Sequence, residues 1–402
     1  MTSLTLKDIE QARQRIGEHI FLTPCARTES LSRRLGCKLF LKLENLQMTG
    51  SFKERGAFNK ILQLDAAQRQ AGIITASAGN HAQAVAHAAQ QCQIPATIVM
   101  PETTPLAKIQ GTREFGATIV LHGSGYDEAY DHAIELQKQH AYTFVHAFDD
   151  NDIIAGQGTI GLEILQQVPQ LDLLVVPVGG GGLIAGIAMV VKETQPDVRI
   201  IGVEARNMAA MQGSLTAGKV TPLPAANTLA DGIAVARVGQ RTLPLVQDYV
   251  DDIVSVDEEA IAHAIMILLE REKTLAEGAG AVGFAALQQQ LIQQIVNKNV
   301  VVLLSGGNID MSMLSRILER GLEQDGRLSR FKVVVSDQPG SIARLASAIA
   351  EQQANILRIS QNRAAHEVEL GETEIELLLE TRGMEHVTEI DASLRHQGFN
   401  VK

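Results

Sequence analysis

From residue 38 to residue 304, short runs rich in valine, isoleucine and leucine alternate with stretches whose apolar residues recur at helical spacing. The runs at 38–43 (KLFLKL), 72–75, 96–99, 118–121, 142–145, 173–178 (LLVVPV), 200–203 and 300–304 (VVVLL) predict strands. The stretches 80–91, 126–140 and 258–272 predict helices between them. Strand, helix and strand at this spacing build parallel sheets covered on both faces, and so many strands point to two α/β layers.

After residue 322 the pattern changes. A strand at 331–335 leads through the turn SDQPG (336–340) into a helix at 342–353. Strands at 355–361 and 374–381 follow, with Gly371 in the turn between them. A second helix at 385–397 and a short strand from 399 complete the order βαββαβ, a ferredoxin-like unit. The stretch 323–330, with Asp325-Gly326 as a turn signal, is the expected linker.

Composition narrows the class. Hydrophobic residues at 45% and charged residues at 20% of a 402-residue chain suit two or three folded domains and exclude disorder. A net charge of −11, aromatics at 3% and no tryptophan leave neither the basic groove nor the stacking rings of a nucleic-acid-binding protein. The cysteines Cys25, Cys37 and Cys92 match no disulfide or zinc framework, which suits a reducing cytoplasm. No membrane span is expected, because Asp172, Pro177 and four glycines interrupt the most apolar stretch, and the N-terminus lacks the apolar core of a signal peptide.

Four fragments could carry chemistry. Lys53 stands in the first turn of a helix opening at Ser51, where the helix dipole helps to lower an amine's pKa, as Schiff-base chemistry needs. An ordinary solvated lysine fits that fragment as well. The loop from Ser77 through Ala78 and Gly79 to Asn80 and His81 could receive a carboxylate or phenolate oxygen, or could simply cap a helix. Gly179, Gly180, Gly181, Gly182 and Leu183 follow a strand and open a helix, which exposes successive N–H groups as a phosphate cradle. The run is neither a Walker A loop nor a GxGxxG fingerprint. Ser305, in Ser305-Gly306-Gly307-Asn308, follows the strand at 300–304, where ligands bind in open α/β sheets.

Taken together in this order, the segments KLENLQMTGSFKERGA, TASAGNHAQAVA, GQGTIGLEI, VPVGGGGLIAGIA, ADGIAV, EGAGAVG and LLSGGN resemble the fold-type II pyridoxal 5'-phosphate (PLP) enzymes, and among them the threonine dehydratase (threonine ammonia-lyase) family. The last seventy or so residues resemble an ACT regulatory domain. The resemblance implies the two-domain fold of tryptophan synthase β-like enzymes, with a large PLP-binding domain at 1–50 and 151–322, a small mobile domain at 51–150 and the ACT unit at 328–402. Carried over by motif, Lys53 would bind PLP as a Schiff base, Phe52 would pack on the ring and Asn80 would hold the phenolate oxygen. Gly179 to Leu183 would hold the phosphate, Ser305 would face the pyridine nitrogen, and Ser77 and Glu277 become further catalytic candidates.

The implied reaction is α,β-elimination from L-threonine, giving 2-oxobutyrate and ammonia, or from L-serine, giving pyruvate. The implied setting is isoleucine biosynthesis in a cytoplasmic homo-oligomer, dimer or tetramer, with isoleucine and valine as effectors at the ACT domain. Serine racemases of this fold use a second serine where Ala78 stands, and metal-binding relatives carry more carboxylates near Glu204 than Met208 and Ala210 allow. Racemization and a specific metal are therefore not expected. Dehydration of serine or 3-hydroxyaspartate, cysteine synthase-like β-replacement and a silent PLP-binding sensor remain as alternatives.

Overall fold

The computed structural model describes residues 4–224, 226–363 and 368–402, and the chain divides into two compact units, Met1–Ile309 and Asp310–Lys402. In the first unit, the larger of two sheets has the strand order Cys25–Arg27, Lys38–Leu43, Asn299–Leu304, Leu173–Pro177, Arg199–Ala205, Asp252–Val256. Cys25–Arg27 is antiparallel to its neighbour and the remaining pairs are parallel. The smaller sheet runs Thr118–Leu121, Ala96–Met100, Ile73–Ala76, Thr143–Phe144, all parallel.

Helices cover the central strands, so Leu173–Pro177 is buried at every position, as an unbroken apolar run requires. The helices Asn151–Gln167 and Gly182–Thr194 pack on each other and are buried nearly all round. Because neighbouring strands are parallel, the segments leaving Pro177 and Leu304 emerge at the same end of the sheet. That end is where open α/β sheets place their ligands.

Two edge strands, Cys25–Arg27 and Asp252–Val256, escaped the sequence pattern. The first has no β-branched residue, and the second buries only Ile253 and Val256. The strand expected at 142–145 contracts to Thr143–Phe144, because pairing with Ile73 and Ile74 ends there.

The second unit has an antiparallel sheet in the order Asn355–Asn362, Glu372–Glu380, Leu328–Ser336, Asn400–Val401. The helices Ser341–Glu351 and Met384–His396 bring Leu345, Ile349, Ile390 and Leu394 into one core with Val333, Ile375 and Leu377. The expected linker at 323–330 is largely regular structure. Helix Met311–Gln324 runs to its start, and strand Leu328–Ser336 begins before its end. Only the turn 325–327 remains, with Gly326 at φ +64° supplying the left-handed step.

Candidate active site

Lys53 is seated by backbone contacts between two segments far apart in sequence. The Phe52 N–H donates to the Ser305 carbonyl at 3.0 Å, the Gly307 N–H donates to the Gly50 carbonyl at 2.9 Å, and Ser51 bridges Gly306. Helix Lys53–Ile61 then begins at the lysine itself, so its amine enters a cleft at the carboxyl end of the large sheet. Lys53 Nζ donates to the Ala147 carbonyl at 3.1 Å and lies 5.1 Å from the centre of the Phe52 ring. Burial lowers its pKa to about 8, against the opposing pull of the Glu277 charge. At mildly alkaline pH about half of such an amine is neutral and nucleophilic.

The opposite wall is the glycine loop. Gly181, at φ +94°, turns the chain into helix Gly182–Thr194. A Cβ there would sit 2.7 Å from Thr242 Oγ1, and one on Gly182 would sit 2.7 Å from the Phe148 carbonyl. A Cβ on Gly180 would collide with the Phe148 ring. Side chains are therefore excluded by the protein itself, which leaves backbone at the positive end of a helix dipole facing the cleft.

Asn80 opens helix Asn80–Gln91 and reaches the same cleft. Its Nδ2 donates to Glu277 Oε1 at 2.7 Å, and its Oδ1 accepts from Asn308 Nδ2 at 2.8 Å, which fixes the amide's orientation. Glu277 also accepts the Asn308 N–H at 3.2 Å. Burial, reinforced by the Asp231 charge, raises the Glu277 carboxyl to about 7, although its Asn80 and Asn308 hydrogen bonds and Lys108 pull the other way. Ser305 is buried and its residue also lines the cleft.

The remaining candidates stand elsewhere. Ser77 is half-buried outside the cleft lining, where its Oγ accepts the Gly79 N–H at 3.3 Å. His81 is buried and its Nε2 donates to the Val145 carbonyl at 3.0 Å, so it ties a helix to the small sheet. Glu204 accepts the N–H groups of Met211 and Gln212, both at 2.8 Å, at the start of helix Ala210–Ala217. Among the described residues no group of three histidine, cysteine or acidic side chains could hold a metal ion.

Sequence reasoning missed Ala147 and Phe148, whose parts are played by a carbonyl and by packing, features with no motif. It also missed the buried ion network behind Lys53. Arg55 binds Glu44 through Nε and Nη2 and Glu163 through Nη1 and Nη2, at 2.6–2.9 Å. Lys42 Nζ reaches Glu163 at 2.6 Å, and Thr23 donates to Glu44 at 2.6 Å. Burial alone would raise the Glu44 carboxyl, yet the Arg55 and Lys42 charges bring it below its usual value. A charged pair inside the apolar-spaced run FKERGAF was the available signal.

The donor set fits PLP: a buried amine of lowered pKa, a loop that the fold keeps free of side chains, an oriented amide and a buried serine share one cleft. Residues 16–306 match the model of the pyridoxal-phosphate dependent enzymes, and residues 329–390 match the ACT domain. The chain belongs to the pyridoxal-phosphate dependent enzyme family. It is 47% identical to an L-threonine ammonia-lyase of Thermotoga maritima over 99% of both chains. The structure of a processed threonine deaminase isoform from Solanum lycopersicum superposes with a TM-score of 0.73 at 39% identity, covering 79% of this chain and 94% of that one. A maize serine racemase gives a TM-score of 0.75 at 35% identity, covering 80% and 99%.

Proposed function

We propose that the protein is a PLP-dependent L-threonine ammonia-lyase, converting L-threonine to 2-oxobutyrate and ammonia and L-serine to pyruvate and ammonia. The observation that carries this reading is the convergence of Lys53, Asn80, the glycine loop and Ser305 on one cleft, in a chain so similar over its whole length to an enzyme of that name. PLP, when bound, supplies an aldehyde for the amino group and a conjugated ring that accepts the electron pair released at Cα.

The chain's own groups supply the rest. Gly179 to Leu183 hold the phosphate through backbone N–H groups, and Phe52 packs against the ring. Asn80, braced by Glu277 and Asn308, offers its second amide hydrogen to the phenolate oxygen. Ser305 would offer the pyridine nitrogen a hydroxyl, which would not hold a proton there as a carboxylate would. The Lys53 amine takes the Cα proton. The loop from Ser77 to His81 receives the substrate carboxylate at a helix start, and residues 51–150 close over it as a small domain.

The similarity to a serine racemase raises a second reading. A racemase needs a proton donor on the face opposite Lys53, and Ala78 has none. Purified protein with bound PLP is expected to release 2-oxobutyrate and ammonia in equal amounts from L-threonine, with no D-allothreonine, the Cα epimer, formed. Racemization without 2-oxo acid would overturn the proposal.

Glu277 adds a pH signature. Its pKa of about 7 leaves it half ionised near neutral pH, and the ionised form is the stronger acceptor for Asn80. In the wild type, kcat is expected to fall as the pH drops through about 7. In Glu277→Gln it should be about tenfold lower at alkaline pH and should lack that titration. A glutamine variant that keeps the wild-type profile would remove Glu277 from this role.

The C-terminal unit is read as an amino-acid-binding regulatory domain that serves a homo-oligomer. Asp337 stands at the turn before helix Ser341–Glu351 and accepts Arg363 Nε at 2.8 Å, and the turn 337–340 is where an effector such as isoleucine, opposed by valine, would bind. With such control the enzyme would serve isoleucine biosynthesis, in a cytoplasmic setting, on the same reading. No helix among the described residues is long and apolar enough to cross a membrane.

A further inference from the structure

We infer that His146 is a positioning residue for the PLP site, which it shapes only as a neutral ring. The inference rests on the reading that Lys53 and the glycine loop hold PLP. His146 follows strand Thr143–Phe144 in the segment that faces Lys53, and its Nδ1 accepts two backbone N–H groups, from Phe148 at 3.1 Å and from Asp149 at 2.9 Å. Both partners can only donate, so Nδ1 must carry the lone pair and Nε2 the proton. The ring stands edge-on to Phe148, with centroids 4.8 Å apart and planes at 87°.

The turn wound round this nitrogen has three products. It points the Ala147 carbonyl at Lys53 Nζ. It lays the Phe148 ring and carbonyl against Gly180 and Gly182. It also presents the Asp149 carboxylate to the N–H groups of Gln240 and Arg241, at 3.0 and 2.8 Å. One imidazole lone pair thus sets the amine's acceptor and the wall of the phosphate loop together.

Protonation of Nδ1 would point a third donor at two donors, and both hydrogen bonds would be lost. The surroundings resist it. Burial lowers the His146 pKa, and Lys53 adds to that, while Asp149 and Asp150 oppose it. His81 from helix Asn80–Gln91 also faces the ring's charge, and Tyr130 from helix Tyr126–His140 lies edge-on at 6.4 Å. A histidine with a lowered folded pKa begins to weaken its structure once the pH falls below the ordinary value of about 6.5. The loop, and with it PLP retention, should therefore loosen on the acid side.

The test is equilibrium dialysis of PLP against wild type, His146→Asn and His146→Leu, with thermal melts of each. Asparagine offers an acceptor oxygen near the place of Nδ1 that does not titrate, and leucine offers none. Wild type should lose PLP affinity by about threefold or more between about pH 7.5 and about pH 5. His146→Asn should lose less affinity than wild type over that range, because only the Lys53 and Glu277 titrations remain, and His146→Leu should bind about tenfold more weakly even at the higher pH. If the leucine variant does not fold, the asparagine variant carries the comparison. An asparagine variant with the wild-type pH dependence, or a folded leucine variant with wild-type affinity, would overturn the inference. A wild type that binds no PLP at any pH would instead overturn the functional reading beneath it.

Discussion

Lys53→Ala is expected to lower turnover of L-threonine by about a thousandfold or more and to leave the protein folded, with PLP held only reversibly. The size follows from the number of tasks placed on one atom. Lys53 Nζ is the cleft's amine, its charge is destabilised by burial to a pKa of about 8, and it faces both the glycine loop and Asn80 across the same space. No ordinary side chain can replace a neutral amine that both attaches PLP and moves a proton. Folding should survive because the amine's hydrogen bond to the Ala147 carbonyl lies at the cleft and not in the apolar core. Turnover by the variant within about tenfold of wild type would mean that another group performs these steps.

Arg55→Met is expected to cost about 3–5 kcal/mol of stability in chemical denaturation, the range for breaking a buried ion pair from one side. Arg55 and Glu44 are almost fully buried, and Lys42 and Glu163 complete a set of two cations and two carboxylates. Removing the guanidinium leaves one negative charge too many among buried groups. Methionine fills much of the volume, so the loss reports charge more than packing. Because Arg55 lies two residues beyond Lys53 on the same helix, the network also fixes the cleft wall to strand Lys38–Leu43 and helix Asn151–Gln167. The double variant Arg55→Met with Glu44→Gln should recover part of the loss, since it restores the balance. A single variant that loses less than about 1 kcal/mol would show that the network contributes little.

The sequence made the parallel α/β character legible because the central strands are buried on both faces and so read as unbroken apolar runs, as at 173–178. The edge strand Asp252–Val256 did not read this way, since one side of an edge meets solvent. The site was legible where a residue type is itself the chemistry: an amine at Lys53, bare backbone at Gly179 to Gly182, a hydroxyl at Ser305. It was opaque where the fold uses generic groups. The acceptor for Lys53 is a backbone carbonyl, and no motif announces which one. The bracing of Asn80 by Glu277 and Asn308 joins residues about two hundred positions apart, a pairing that only the folded chain creates. Ser77 was legible as a loop residue, and its hydroxyl oxygen accepts the Gly79 N–H, a local contact that leaves its own proton able to donate.

The most direct test of the account is chemical trapping of the cofactor on the folded enzyme. Holoenzyme reduced with borohydride, digested and examined by mass spectrometry should carry the pyridoxyl group on the peptide that contains Lys53. Attachment at any other lysine, or none at all in a protein that turns over L-threonine, would contradict it.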